Sequence, residues 1–413
     1  MNHAWLTIKR RKANETLFLA SIYLMIIMTV FNGNTYLAGL SFVWFPSFLL
    51  LGASLFMKKH LQGKLNLLVV FLGISAALST YLSKIELNQS TFINLEFCIL
   101  SYVIISSVVL SHDMFNAILK FYVNFGFLLC VILIFNYIFS VGIQVFNASN
   151  IRVTIQYFGI AKDVNYLSAF ILPTFAYHLY VGLFARRRNL LMKAAIIFVA
   201  MFIAGSRACF MAMMLTMSII FIKMVFDSEH KMNKPLIITA LIIGGIVLYV
   251  IVSKSAIFAR TMDFDNYTSN SRVTIWTYAM NGFFAKPVIG SGVESGSYYS
   301  LLDTRWKTHN CFIDILVGQG LIGAFIVLWI FLEHRKVNRG NGVFMAGFMI
   351  CFFVPLIFVN GYECATFWMP MIICRYIYKK CRETNDILTL LYKQDKRGRK
   401  MYYEDRYSND SSC

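Results

Sequence analysis

Charge is what this sequence lacks most: 14% of its 413 residues are Asp, Glu, Lys or Arg, against 58% hydrophobic. Soluble proteins carry about a quarter charged residues, so this chain cannot clothe a water-facing surface, and a soluble globular enzyme is excluded. Paired cysteines are missing too. The nine cysteines form no CxxC and no metal-ligand spacing, and with Cys98, Cys130, Cys351 and Cys374 inside or beside apolar runs they read as small buried apolar residues. No internal repeat is visible, which argues against an inverted-repeat transporter. Ionisable residues are nearly absent from the apolar runs, with Glu96 and Asp314 close to predicted ends, whereas a flippase would bury several at mid-membrane.

What the chain has is long apolar runs, such as Leu17–Phe31, Leu65–Leu82 and Leu236–Val252, suited to crossing about 30 Å of hydrocarbon. They predict an all-α polytopic integral membrane protein of about 12 transmembrane helices. The spans fall near 16–31, 37–56, 65–82, 92–110, 118–143, 164–184, 189–204, 208–226, 235–253, 308–332, 342–359 and 364–378. The first follows Lys9-Arg10-Arg11-Lys12 without a small-residue cleavage site, so an uncleaved span is expected.

A net charge of +18 raises nucleic acid as a partner, but the Lys and Arg residues cluster between apolar runs, which is the positive-inside pattern of a membrane protein. No nucleic-acid partner is expected. Placing both termini in the cytoplasm puts Lys58, Lys59, Lys64, Arg186–Arg188, Lys231, Lys234, Arg335, Lys336 and Arg339 inside. It leaves outside Lys84, Arg152, Lys162, Arg207, Lys254, Arg260, Arg272, Lys286, Arg305 and Lys307. The chain then divides into N-terminal transmembrane helices (1–150), a core (151–335), the last two spans (336–378) and a basic cytoplasmic tail (379–413) suited to an anionic leaflet. Within the core lies one large non-cytoplasmic loop (254–307), far longer than ordinary connections. Its Trp276, Tyr278, Phe283 and Phe284 argue for order, because disordered segments lack aromatics.

The few outward cations invite individual explanation. Arg207 abuts a span in Gly205-Ser206-Arg207, Arg272 opens Arg272-Val273-Thr274-Ile275-Trp276, His309-Asn310 stands at the mouth of a span, and Arg152 precedes the sixth span. Taken singly they read as a snorkelling arginine, solvated loop charges and a satisfied interfacial histidine.

Together they keep an order. Asp163-Val164-Asn165 with Pro173, Gly205-Ser206-Arg207-Ala208, Arg272 with Trp276 and then Pro287-Val288-Ile289-Gly290-Ser291-Gly292, and His309-Asn310 with Asp314, Gly320 and Gly323 follow one another from about 150 to 330. This stretch resembles the O-antigen ligase and surface-polysaccharide polymerase family of bacterial membrane glycosyltransferases. The resemblance implies an outward-facing cavity that binds a polyprenyl-pyrophosphate-linked oligosaccharide and passes the glycan to an acceptor hydroxyl. It implies catalytic roles for Arg207, Arg272 and His309, and substrate binding by Arg152, Asn165, Trp276 and Asn310. Val164 stands where the family often has proline. The first four or five spans and the tail carry no such pattern.

The residue types suit that chemistry in their own right. Pyrophosphate is already a good leaving group, so a site needs mainly to hold a dianion, and guanidinium groups do so by bidentate, charge-assisted hydrogen bonds. Histidine, with an unperturbed pKa of about 6.5, suits a general base near neutrality. His309 is expected to be that base or to orient the acceptor, and attack from the opposite face would invert the anomeric centre. No cofactor and no metal is expected; Asp263 and Asp265 form an Asp-x-Asp of a spacing common by chance.

Gly290-Ser291-Gly292 reads as a turn. Gly318, Gly320 and Gly323 read as close helix packing, His178 with Pro173 as a kink and an interhelical bond, and Glu294 and Asp303 as solvated loop charges. The expected activity is polymerisation of lipid-linked repeat units on the outer face of the bacterial inner membrane, alongside a chain-length regulator and a flippase. A ligase moving finished polymer to lipid A core is the alternative within the family. A lipid-linked glycan flippase is the alternative from another class, and a scaffold role comes after it.

Overall fold

A computed structural model describes residues 2–30, 36–37, 40–41, 44–59, 63–83, 89–141, 143–147, 150–157, 160–161, 164–226, 271–299, 301–302, 304–305, 308–359, 362 and 365–392. The expected span near 235–253, the loop as far as residue 270 with Asp263 and Asp265, Asp163, Asp303 and the tail beyond 392 lie outside the described residues.

The architecture is helical: α1 (Asn2–Val30), α2 (Trp44–Leu55), α3 (Lys64–Tyr81), α4 (Gln89–Ser106), α5 (His112–Ile138), α6 (Val164–Phe184), α7 (Arg188–Ile203), α8 (Arg207–Phe226), α9 (Ser271–Ala285), α10 (Ser295–Tyr299), α11 (Cys311–His334), α12 (Gly342–Leu356), α13 (Ala365–Glu383) and α14 (Ile387–Tyr392). The strands are short and confined to connections, as antiparallel pairs β1 (Tyr36–Leu37) with β2 (Leu40–Ser41), β3 (Ile143–Asn147) with β4 (Asn150–Val153), β5 (Gln156–Tyr157) with β6 (Ile160–Ala161), and β7 (Leu301–Leu302) with β8 (Thr304–Arg305).

Among the described residues seven helices are long and apolar enough to cross a membrane: α1, α3, α5, α6, α8, α11 and α12 with its preceding turn. The remaining expected spans that fall on described residues are shorter or more polar. The one expected at 37–56 is helical only over Trp44–Leu55, about 18 Å of rise against about 30 Å of hydrocarbon, because β1 and β2 occupy its first third. Glu96 and Arg375 sit within helices, the latter buried with its guanidinium 5.3 Å from the Tyr378 ring.

At the centre lies α6, almost wholly buried and packed by α5, α7, α8, α12 and α13. Pro173 interrupts its ladder, and Thr174 Oγ1 donates to Ile171 O at 2.7 Å across the break. His178 Nε2 lies 3.4 Å from Val123 O of α5, the interhelical contact expected of it. The described cysteines form no disulfide with one another, and all but Cys98 are buried.

The bundle has two chemically distinct ends. Tyr180 Oη and Lys223 Nζ, near the far ends of α6 and α8, both donate to Gly340 O between α11 and α12. Lys64 and Lys336 meet Glu333 at the same end. The opposite end gathers the start of α6, the α7–α8 link, the β3–β4 pair held to α5 by Asn136 Nδ2 donating to Thr154 O, and the start of α11. Every candidate site residue belongs to this second end.

Candidate active site

Two short turns build the site. At the first, α7 ends at Ile203 and α8 begins at Arg207. Gly205 takes φ +72°, a left-handed conformation that only glycine adopts without cost. Ser206, buried, donates from Oγ to Asn165 Oδ1 at 2.8 Å. Asn165, one residue into α6, therefore fixes the turn that presents Arg207 at the head of α8.

The second turn is Thr308-His309-Asn310. Asn310 caps α11, its Oδ1 accepting from Phe312 N and Ile313 N at 3.0 and 3.1 Å, as an N-cap asparagine does. His309, half-buried, is held at φ +50°, uncommon for a side chain of its size. Trp276 on α9 fastens this turn by donating from Nε1 to Thr308 O at 2.7 Å. Arg272 precedes Trp276 by one turn of α9, so the bond ties the helix that carries Arg272 to the turn that carries His309. Trp276→Phe deletes one neutral hydrogen bond worth about 1 kcal/mol. It is expected to lower kcat/KM for whatever reaction this site carries about fivefold while the melting temperature in detergent moves little, which steady-state kinetics beside a thermal melt will check.

The side chains of Arg207, Arg272 and Arg152 lie outside the described residues. Arg152 is placed by its backbone in β4, opposite Gln144. Among the described residues no three His, Cys, Asp or Glu side chains come together to hold a metal ion.

The wall between these turns and the membrane interior comes from a segment that sequence reading took for a turn. Residues 286–292 climb antiparallel beside α11 toward its start, and the α11 helix is broken at Gly320, with φ +64° and ψ −159°. Ser291 N and Gly292 N donate to Val317 O and Gly318 O at 2.9 Å, and Leu321 N and Ile322 N donate to Pro287 O and Val288 O at 2.8 and 3.2 Å. Counted from Cys311, this pairing lies about 9 to 17 Å down the helix axis. Irregular backbone at that depth persists where protein satisfies its polar groups, as here. The expected packing role of Gly320 is thus a chain break; Gly290 and Gly292 take φ +77° and +102°, but the turns lie at 287–289 and 293–294 on either side of the expected one, and residues 290–292 are drawn out along α11.

The end of α3 and the start of α4 clamp this segment from the other side. Ser83 Oγ donates to Ser291 O at 2.6 Å, Val293 N donates to Thr80 Oγ1 at 3.2 Å, and Lys286 Nζ donates to Leu82 O at 2.8 Å. Glu294, expected as a solvated loop charge, accepts from Thr91 Oγ1 at 2.7 Å. Beneath lies Gln319, fully buried, neither of whose amide atoms has a partner among the described residues. No sequence signal singled it out; its place beside the break at Gly320 explains why the helix does not satisfy it.

Residues 192–328, about a third of the chain, match the family model described as O-antigen ligase. No curated protein matches the chain. The matched stretch holds Arg207, Arg272, Trp276, His309 and Asn310 and stops short of Arg152 and Asn165. The protein is a polytopic helical membrane protein whose segment 192–328 carries the O-antigen ligase family pattern.

Proposed function

We propose that this protein joins polyprenyl-pyrophosphate-linked oligosaccharide repeat units on the outer face of the bacterial cytoplasmic membrane, as the polymerase of a surface polysaccharide such as O-antigen or capsule. The observation that carries this reading is the Trp276 to Thr308 bond, which joins the Arg272 helix to the His309 turn at the same end of the bundle as Arg207. The family match supports glycan transfer by this constellation. The end carrying Lys64, Lys336 and Arg339 is then cytoplasmic, with both termini.

In this mechanism Arg207 and Arg272 hold the pyrophosphate and take up the charge that develops as the anomeric C–O bond breaks, its electron pair leaving with the phosphate. The acceptor hydroxyl oxygen attacks the anomeric carbon from the opposite face and gives its proton to His309, inverting the centre. Asn165, through Ser206, positions Arg207. Asn310 sets the His309 turn, and Arg152 lies toward the glycan.

The family's description favours a second reading, the ligase that hands finished polymer to lipid A core. Deleting the gene and running the surface glycan on a gel separates the two. A single repeat unit in place of the ladder supports the polymerase. Long polymer retained on its lipid carrier makes the protein the ligase, and repeat units trapped on the cytoplasmic face would make it a flippase.

A further inference from the structure

The end of the bundle opposite the candidate site holds a cation that no described residue answers. Arg375 on α13 is 6% exposed, and its Nε, shut off from solvent, has no hydrogen-bond partner among the described residues. The carboxylates at this end are taken: Glu333 meets Lys64 and Lys336, and Glu383 meets Lys380. Arg375 does face the Tyr378 ring, 5.3 Å from its guanidinium, but one ring does not replace the hydration that five N–H donors give up. A buried charge persists where a counter-charge meets it.

Its guanidinium is aimed at a helix head. Arg375 Nη2 lies 2.8 Å from where a Cβ on Gly63 would stand, and Gly63 precedes α3 in extended backbone, with no side-chain cap. The helix thus begins with uncapped amides at the place the guanidinium reaches. Lys379, one turn along α13, adds a second cation. It donates from Nζ to Ser106 O at 2.6 Å, and burial, followed by the Arg375 charge, lowers its pKa to about 8. We propose that Arg375 and the head of α3 form a binding site for a phosphate-bearing anion. A helix N-terminus suits phosphate oxygens through its amides and dipole, and a guanidinium fork grips them bidentately. Gly63 serves the site by what it lacks, since a side chain there would push the fork off the helix head. An anionic phospholipid is the source closest to hand. On α3, Leu67 and Phe71, one and two turns inward, are 55% and 48% exposed and offer its acyl chains an apolar wall. The site stands apart from glycan transfer and does not depend on that reading.

The test melts the full chain in neutral detergent while phosphatidylglycerol, phosphatidylcholine or inorganic phosphate is titrated in at constant ionic strength. Phosphatidylglycerol is expected to raise the wild-type melting temperature, and Arg375→Met should need about tenfold more of it for half the shift. Gly63→Ala keeps every charge but displaces the fork, and about threefold more is expected; it decides the matter if Arg375→Met does not fold. A shift with phosphatidylglycerol alone assigns the site to the lipid headgroup, and a shift with inorganic phosphate as well shows that the phosphate group suffices. The proposal is overturned if neither anion shifts the wild type, if phosphatidylcholine or chloride acts as strongly, or if the folded variants respond as wild type does.

Discussion

His309→Asn is expected to cut glycan transfer by at least about a hundredfold, the usual contribution of a positioned general base, while the protein inserts and melts as wild type. Asparagine is the informative replacement because His309 sits at φ +50°, a conformation asparagine adopts readily. The capped turn at Thr308-His309-Asn310 is thereby preserved, and the loss reports the imidazole. Arg272→Ala is expected to cost at least as much, since removing a guanidinium that holds developing charge forfeits a charge-assisted, bidentate contact. The measurement is single-turnover transfer from a polyprenyl-pyrophosphate donor in proteoliposomes. Full activity of His309→Asn would end the base role, and full activity of Arg272→Ala would remove the pyrophosphate site from α9.

Gly320→Ala is expected to be the most damaging single-methyl change in the described structure. Its φ and ψ fall in a region almost reserved for glycine, at about 1–3 kcal/mol for any other residue. A Cβ there would be driven into the backbone of Val288 and Gly290, and one on Gly290 into Gly318 O and Gln319 N. Backbone on both sides leaves no side chain to swing away. Either Gly→Ala variant should open the pairing between residues 286–292 and α11, lower the melting temperature in detergent and abolish the glycan ladder. Gly52→Ala, whose Cβ would meet nothing within 4 Å, is the control expected to be neutral. Retention of wild-type stability by Gly320→Ala would mean the segment is not locked against the helix.

The legible and the illegible parts of this molecule differ for physical reasons. Spans were readable where apolar length alone decides them, as in α5, α8 and α11. The span expected from 37 is helical only from Trp44 among the described residues, because a run of apolar residues does not by itself distinguish a strand pair such as β1 and β2 from helix. Asn310, expected as a substrate contact, stands before Cys311 where a cap is also signalled, and it does cap α11. Trp276, expected as a substrate contact, also sends its indole N–H to a carbonyl 32 residues on, a partnership that local pattern cannot announce. Thr80, Ser83 and Thr91 left no trace at all. They lie in spans without family pattern, and their hydroxyls gain meaning only when folding brings Ser291, Val293 and Glu294 to them.

The pairing of residues 286–292 with α11 also has a history imposed by the direction of synthesis. The ribosome delivers Pro287 to Gly292 before Val317 to Ile322 exist. Until α11 enters the bilayer, the amides and carbonyls of that segment have only water to satisfy them, and carrying them unpaired into hydrocarbon costs several kcal/mol for each group. The segment can take its observed place only once residues 317–322 are there to pair with it. On the proposed function, competence for transfer is acquired late in biogenesis, because a nascent chain halted before residue 317 lacks the partner that fixes residues 286–292.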